Sequence, residues 1–306
     1  MGNRIFVAVV VLLWASTTSW LMVARILPRI LPSYFQGEPP AHGDVKGAEP
    51  VCWRIEYGDG PVGYAVSQAV PGAMGTTEIH SRVLLEGIEM RQMAPQWMGT
   101  LVSALGDIRL DSRTRIVLDS LGNLASFDTK VKLNDLPALV RMRGRVEGAA
   151  LNLRLQTGDV THESLYPVPS NAILTSELIP EPKLLQVYVG RKWQQEVFSP
   201  FRPPNSPLEL LQAEVVEEGA ILHEGTMLKG RKIEYRSLST AGVAANNNLR
   251  AVVWVAEDGE VLRQDVYLMN AKLRFERCTD PSMLKMAEEL LELDIVATLA
   301  TPHQSP

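Results

Sequence analysis

The run Gly58-Asp-Gly60-Pro-Val-Gly63 matches G-x-G-x-x-G letter for letter. Dinucleotide binding by that motif needs a helix to begin behind the glycines, so that free N–H groups and the helix dipole meet a pyrophosphate. Here Pro61 interrupts, and Gly63–Val70 reads as a strand, so the run is expected to be a hairpin turn. Histidines 42, 80, 162, 223 and 303 each stand alone. His162-Glu163 and His223-Glu224 are not H-E-x-x-H, and neither lies on a helix where i,i+4 spacing would align two metal ligands. No G-x-S-x-G is present, and Asp119-Ser120-Leu121-Gly122 reads as a turn. No catalytic residue, cofactor or metal is therefore expected, and a binding role is favoured over an enzyme.

Two other sets of residues carry chemistry. Cys52 and Cys278 fall at opposite ends of the body. Outside the cytoplasm they could form a disulfide joining the first and last strands, worth ~4–5 kcal/mol on the chain-entropy model; the alternative is two separate buried thiols. Lys130 and Lys132 on one strand pattern and Arg141, Arg143 and Arg145 on the next would all point the same way if the two strands pair as a hairpin. Matching the apolar faces of those strands sets Lys132 near Arg141 and Lys130 near Arg143. Such a patch suits anionic lipid head groups; the alternative is a solvated face balanced by Asp128 and Glu147.

These residues are positioned almost entirely by strands. Trp53, Ile55 and Tyr57 alternate with Arg54 and Glu56, the period of a half-buried strand. Gly63–Val70 and Thr76–Leu85 follow. Phe127–Leu133, Val140–Val146 and Leu151–Leu155 each alternate apolar with charged or polar residues, which predicts an antiparallel sheet with one wet face. The Pro-rich stretches 167–183 and 199–207 bracket a predicted pair, Leu185–Val189 and Lys192–Phe198. They are expected to be long connections of one sheet rather than a boundary between lobes. Further strands are predicted at Leu210–Val216, Ile221–Leu228, Lys232–Leu238, Leu249–Ala256, Val261–Leu268 and Lys272–Arg277. Asp258-Gly259 between apolar runs is a strong hairpin signal. Helices are expected at Pro95–Leu105, stopped by Gly106, and at Pro281–Leu299, capped by Asp280.

Ahead of the strands, Ile5–Val23 is uncharged for nineteen residues, roughly 28 Å of helix, close to a bilayer's hydrocarbon core. It exceeds the h-region of a signal peptide, roughly 7–15 residues, and no A-x-A-like site closes it. Residues 1–30 are thus expected to be a transmembrane anchor with the body outside the cytoplasm; secretion after signal cleavage is the alternative. Residues 31–50, rich in Pro and Gly, read as a tether, and 51–306 as the β-domain with its C-terminal helix. The formal charge is −5 overall, and three arginines in the first thirty residues leave −8 for the rest. That sign argues against a nucleic-acid partner.

The run Trp254-Val-Ala-Glu-Asp-Gly-Glu-Val-Leu-Arg-Gln-Asp-Val266, the opening Trp-x-Ile-x-Tyr-Gly strand and the long antiparallel meander together resemble exported envelope proteins with the lipoprotein-carrier β-fold. The resemblance implies a curved half-barrel of about eleven or more strands with helices over its concave, apolar side. The expected fold is therefore mainly β (α+β): a large curved antiparallel sheet with one or two covering helices, plus an N-terminal transmembrane helix. The expected function is an envelope-facing binding module for a lipid or other apolar ligand, because few helices for so large a sheet would leave an apolar cleft. The alternative is a structural or interaction protein of the envelope, and an enzyme of unknown type is a third reading.

Overall fold

The structure, a computed structural model, describes residues 49–58, 60–89, 107–120, 122–134, 140–167, 175–176, 180–198, 208–238, 248–268, 271–280 and 285. The span Ile5–Val23, the tether and the helix Pro95–Leu105 lie outside the described residues, and of Pro281–Leu299 only Lys285 lies inside. Among the described residues no helix is long and apolar enough to cross a membrane.

Fifteen strands form one sheet. They are β1 (Val51–Tyr57), β2 (Gly60–Pro71), β3 (Thr77–Glu89), β4 (Asp107–Leu118), β5 (Leu124–Leu133), β6 (Val140–Glu147), β7 (Ala150–Thr157), β8 (Val160–Pro167), β9 (Thr175–Ser176), β10 (Lys192–Phe198), β11 (Leu208–His223), β12 (Thr226–Ser237), β13 (Leu249–Ala256), β14 (Val261–Leu268) and β15 (Ala271–Cys278). The spatial order runs from β8 back to β1, then β15 back to β9. The chain starts at the centre, meanders to one edge, crosses to the other edge and meanders back. All ladders are antiparallel except the two-residue pairing of β9 with β10. The strands on both sides of the Pro-rich stretch at 167 thus belong to one sheet.

Chain length shows that this sheet curls. Laid flat, fifteen strands would be about 67 Å wide at ~4.8 Å per strand. Yet Pro167 at the end of β8 and Thr175 at the start of β9 are eight residues apart, so they lie within about 28 Å. Only a strongly curved sheet brings its two edges that close. Strand alternation sets which face turns inward. Trp53, Ile55, Leu273, Phe275, Ile233, Val215 and Trp193 all have exposures near zero and pack as one cluster. The opposite face carries the charged residues.

Three predicted boundaries differ from the fold. Ile221–Leu228 is not one strand but the tip of the β11–β12 hairpin. Glu224 and Gly225 both have positive φ, 46° and 78°, the requirement of a tight type I′ turn. Gly219, in the gap between the predicted strands Leu210–Val216 and Ile221–Leu228, lies inside β11, which is continuous through a bulge at Val215–Glu217. Leu185–Val189 is a strap rather than a strand. The Leu184 N–H donates to Gly259, Val261 donates to Pro182, and Gly190 donates to Val215, all over 2.8–3.2 Å. Leu184 and Val187 are buried in the main inner cluster. Of this stretch Val187 is buried against the inner face, whereas Tyr188 and Val189 are more than half exposed, so its apolar letters do not report a ladder. Strand β8 gave no periodic signal, because as an edge strand it leaves Val160 and Leu165 about 70% exposed.

The glycine run is a turn, as its Pro61 implied. Gly58 has φ 61°, and residues 60–71 form β2 rather than a helix.

Candidate functional site

The inner face holds two apolar clusters. The larger spans β1, β10 to β15, the strap and the Leu85, Leu110 and Leu133 ends of β3 to β5. The smaller gathers Ile116, Leu124, Phe127, Met142, Leu151 and Leu153 around β4 to β7. Between them runs a band of hydroxyls. Ser67 on β2 is the register partner of Ser81 on β3. Ser81 opposes Thr114 on β4, and Thr114 opposes Thr129 on β5. Residues directly opposite in antiparallel strands point to the same face, so the four hydroxyls form one row perpendicular to the strands. On β3 the row lies between Ile79 and Val83, on β4 between Ile116 and Leu110, and on β5 between Phe127 and Val131. On β3 to β5 the hydroxyls thus separate residues of the two clusters, and Ser112 of β4 is a second buried hydroxyl on that face.

The band is enclosed but only half satisfied. Thr114 and Thr129 share a hydrogen bond of 3.1 Å between their Oγ1 atoms. Ser67 and Ser81 are each 5% exposed. Their Oγ atoms are buried and, among the described residues, have no hydrogen-bond partner. Leaving a hydroxyl in that state costs about 1–3 kcal/mol, so two adjacent ones are an expense that a purely structural sheet would remove by using alanine.

At the far end of the larger cluster stands an aromatic corner. Trp193 on β10 meets Tyr235 on β12 edge to face, with centroids 5.8 Å apart. Burial pushes the Tyr235 hydroxyl well above its ordinary pKa, with Glu181 of the strap adding to the shift. It is therefore neutral at any physiological pH.

On the outer face, Lys130, Lys132, Arg141, Arg143 and Arg145 do share one side, as their parity implied. Their register differs from the expected one by two residues. Lys130 opposes Arg141, Asp128 opposes Arg143, and Lys132 opposes Asp111 of β4. The β5–β6 ladder pairs Val131 with Val140, and that register sets the offset. The consequence is partial neutralisation: Asp128 takes Arg141 at 2.7 Å and Arg143 at 3.4 Å. Among the described residues Lys130, Lys132 and Arg145 have no ion-pair partner. Two cations missed in the sequence extend the row, because Arg82 opposes Arg113 and Arg113 opposes Lys130. Asp111 lies beside both arginines, 2.9 Å from Arg82 and 3.2 Å from Arg113. Burial raises the Asp111 pKa, but the hydrogen bonds it accepts from the two arginines outweigh this and hold it below the ordinary carboxylate range.

Cys52 and Cys278 are register partners across the β1–β15 ladder, and both are thiols. Of the histidines described, His80 contacts Glu78 at 3.2 Å on β3 and His162 contacts Ser164 at 2.9 Å on β8. His223 is buried at the β11 tip. Among the described residues no three metal-ligating side chains gather.

No family model matches the chain, and no curated protein matches it. Solved structures with related shapes exist. A β-barrel-like protein of the domain of unknown function DUF1849 from Brucella abortus superposes with a TM-score of 0.47 at 9% identity, covering 75% of this chain and 94% of that one. A DUF1089 family protein from Pseudomonas aeruginosa superposes with a TM-score of 0.35 at 12% identity, covering 66% and 88%. Likenesses this remote assign neither an activity nor a ligand.

Proposed function

We propose that this chain is a membrane-tethered, envelope-facing module that binds an amphiphile on the inner face of its curved sheet. The carrying observation is the hydroxyl band, whose Ser67 and Ser81 oxygens have no partner among the described residues, between two apolar clusters. An acyl chain matches the clusters, and an ester or amide carbonyl at its polar end would accept hydrogen bonds from Ser67 and Ser81. A saturated hydrocarbon would leave both hydroxyls unpartnered, so the band selects for a ligand with a polar linkage. The resemblance to lipoprotein carriers supports the same class of ligand. The uncharged segment at residues 5–23 supports the location, and the outer cation row would lie well beside anionic head groups.

The test is direct. Full-length protein extracted in mild detergent is expected to carry lipid in native mass spectrometry. The double variant Ser67→Ala/Ser81→Ala is expected to lose about five- to tenfold in affinity for a fluorescent monoacyl phospholipid. The same variant should gain about 1–2 kcal/mol in stability when empty, because it removes two buried unsatisfied groups. Unchanged affinity with unchanged stability would sink the reading.

One observation favours a second reading. β8 ends the sheet, with Val160 and Leu165 about 70% exposed, and an edge of that kind can take a partner's strand. Crosslinking through β8 that recovers one stoichiometric protein, with no lipid bound, would favour this interaction role.

A further inference from the structure

We propose that Cys52 and Cys278 form a disulfide that stitches the first strand of the sheet to the last. The inference rests on the register, independently of the binding role. The two residues face one another directly across the β1–β15 ladder. Directly opposed residues in antiparallel strands have Cα atoms about 4.5–5.5 Å apart, inside the roughly 4.4–6.8 Å a disulfide requires. Both side chains lie on the outer face, in a small apolar nest with Val66 and Tyr64. No backbone movement is needed to bring the sulfurs together.

The surroundings give the two thiols different tasks. The Cys278 pKa is lowered, first by a hydrogen bond from the Cys52 thiol and then by the nearby Arg54 guanidinium, against an opposing push from burial. The Cys52 pKa is raised by the same thiol–thiol bond and by burial. Cys278 is also the more exposed of the pair. It is therefore the attacking thiolate. With a protein disulfide donor as oxidant, Cys278 Sγ attacks one donor sulfur and expels the other as a thiolate, forming a mixed disulfide. Cys52 then gives up its proton, and its sulfur attacks Cys278 Sγ. The Cys52–Cys278 bond forms and the donor leaves as a dithiol, having taken up two electrons and the two protons of the thiols.

Position makes this bond matter. The sheet consists of two meanders, β1 to β8 and β9 to β15, and β1–β15 is the ladder that joins them. It pairs residues more than two hundred positions apart, which makes it the most expensive ladder in loop entropy. A covalent link at Cys52 removes that cost. It also lies one residue from Val51, where the sequence before the sheet enters β1, so a pull on that end would be shared with β15.

The experiment is to express the full chain through its own N-terminal segment, trap thiols with iodoacetamide and measure the intact mass. The expected result is no adduct and a mass 2 Da below that of the dithiol, with two adducts after reduction. Reduction should lower Tm by about 10 °C. Cys52→Ser and Cys278→Ser should each show one alkylatable thiol and the Tm of the reduced protein. Two free thiols that persist after equilibration with oxidised glutathione would overturn the proposal. So would glutathione trapped on Cys278 without release by Cys52. The wild-type mass decides even where a serine variant fails to fold.

Discussion

Gly63→Ala is expected to destabilise the protein by about 3 kcal/mol or more, read as a fall in the urea midpoint at constant slope. A Cβ at Gly63 would lie 1.9 Å from the Leu84 carbonyl oxygen, 2.9 Å from its carbon and 3.0 Å from Leu85 Cα. All three atoms are backbone of the paired strand β3, so no side chain can rotate away. The strands must part, which breaks hydrogen bonds next to the inner cluster. The control lies three residues away: Gly60 has no atom within 4 Å of a built Cβ, and Gly60→Ala should cost less than about 1 kcal/mol. Gly58, with φ 61°, falls between them, because its strain is conformational rather than steric. Two glycines of the motif-like run thus have distinct structural jobs, Gly58 a positive φ and Gly63 a close backbone approach, and Gly60 has neither. Equal midpoints for the Gly63 and Gly60 variants would refute the close approach of β2 to β3.

Asp265→Ala is expected to cost about 1.5–3 kcal/mol, the range for losing hydrogen bonds to a charged group, because the cations it releases are 23–40% exposed and can be solvated. Asp265 is 4% exposed in its side chain and gathers three cations on the outer face of β14 and β15. Arg263 meets it through two bonds of 3.0 and 2.6 Å, Lys272 at 2.9 Å and Arg274 at 3.2 Å. Burial raises its pKa, but the hydrogen bonds of Arg263 and Lys272 outweigh this and hold it below the ordinary carboxylate value. A depressed carboxylate stabilises the fold above its unfolded pKa and loses that contribution as pH falls through the folded one. Asp111 shifts in the same direction, as does Glu78, chiefly through its hydrogen bond from Arg115. Stability should therefore be flat near neutrality and fall with acid from about pH 4 downward. Asp265→Asn should flatten that acid limb. If the limb is as steep in the variant as in the wild type, Asp265 is not a source of it.

Much of the sheet was legible because alternation is a local signal. Phe127, Thr129, Val131 and Leu133 name their own face without help from any partner, and so do the strands around Trp53, Met142 and Leu153. What failed were features whose letters have two physical causes. The apolar run Leu185–Val189 resembles a strand, yet only Val187 is buried while Tyr188 and Val189 are more than half exposed. The gap left at residues 217–220 belongs to β11, and the turn's positive φ falls instead on Glu224 and Gly225. β8 was missed because an edge strand with little to bury loses its period. The cation row was half seen: its parity was readable, but the neutralising position of Asp128 depended on an offset of two residues in pairing with β6.

By itself, the sequence determined the class of the fold, the inward phase of most strands and the absence of a helix behind Gly63. It also marked Cys52, Cys278 and the five cations as residues worth locating. Only the tertiary structure decided who faces whom. The order that sets β15 beside β1 turned two distant cysteines into neighbours. The registers of β2 to β5 aligned Ser67, Ser81, Thr114 and Thr129 into one enclosed row, which no single strand discloses because each contributes a single unremarkable hydroxyl. The physical reason is common to both. Alternation is written within a strand, whereas register and strand order are settled by turn length, bulges and the burial of the whole sheet.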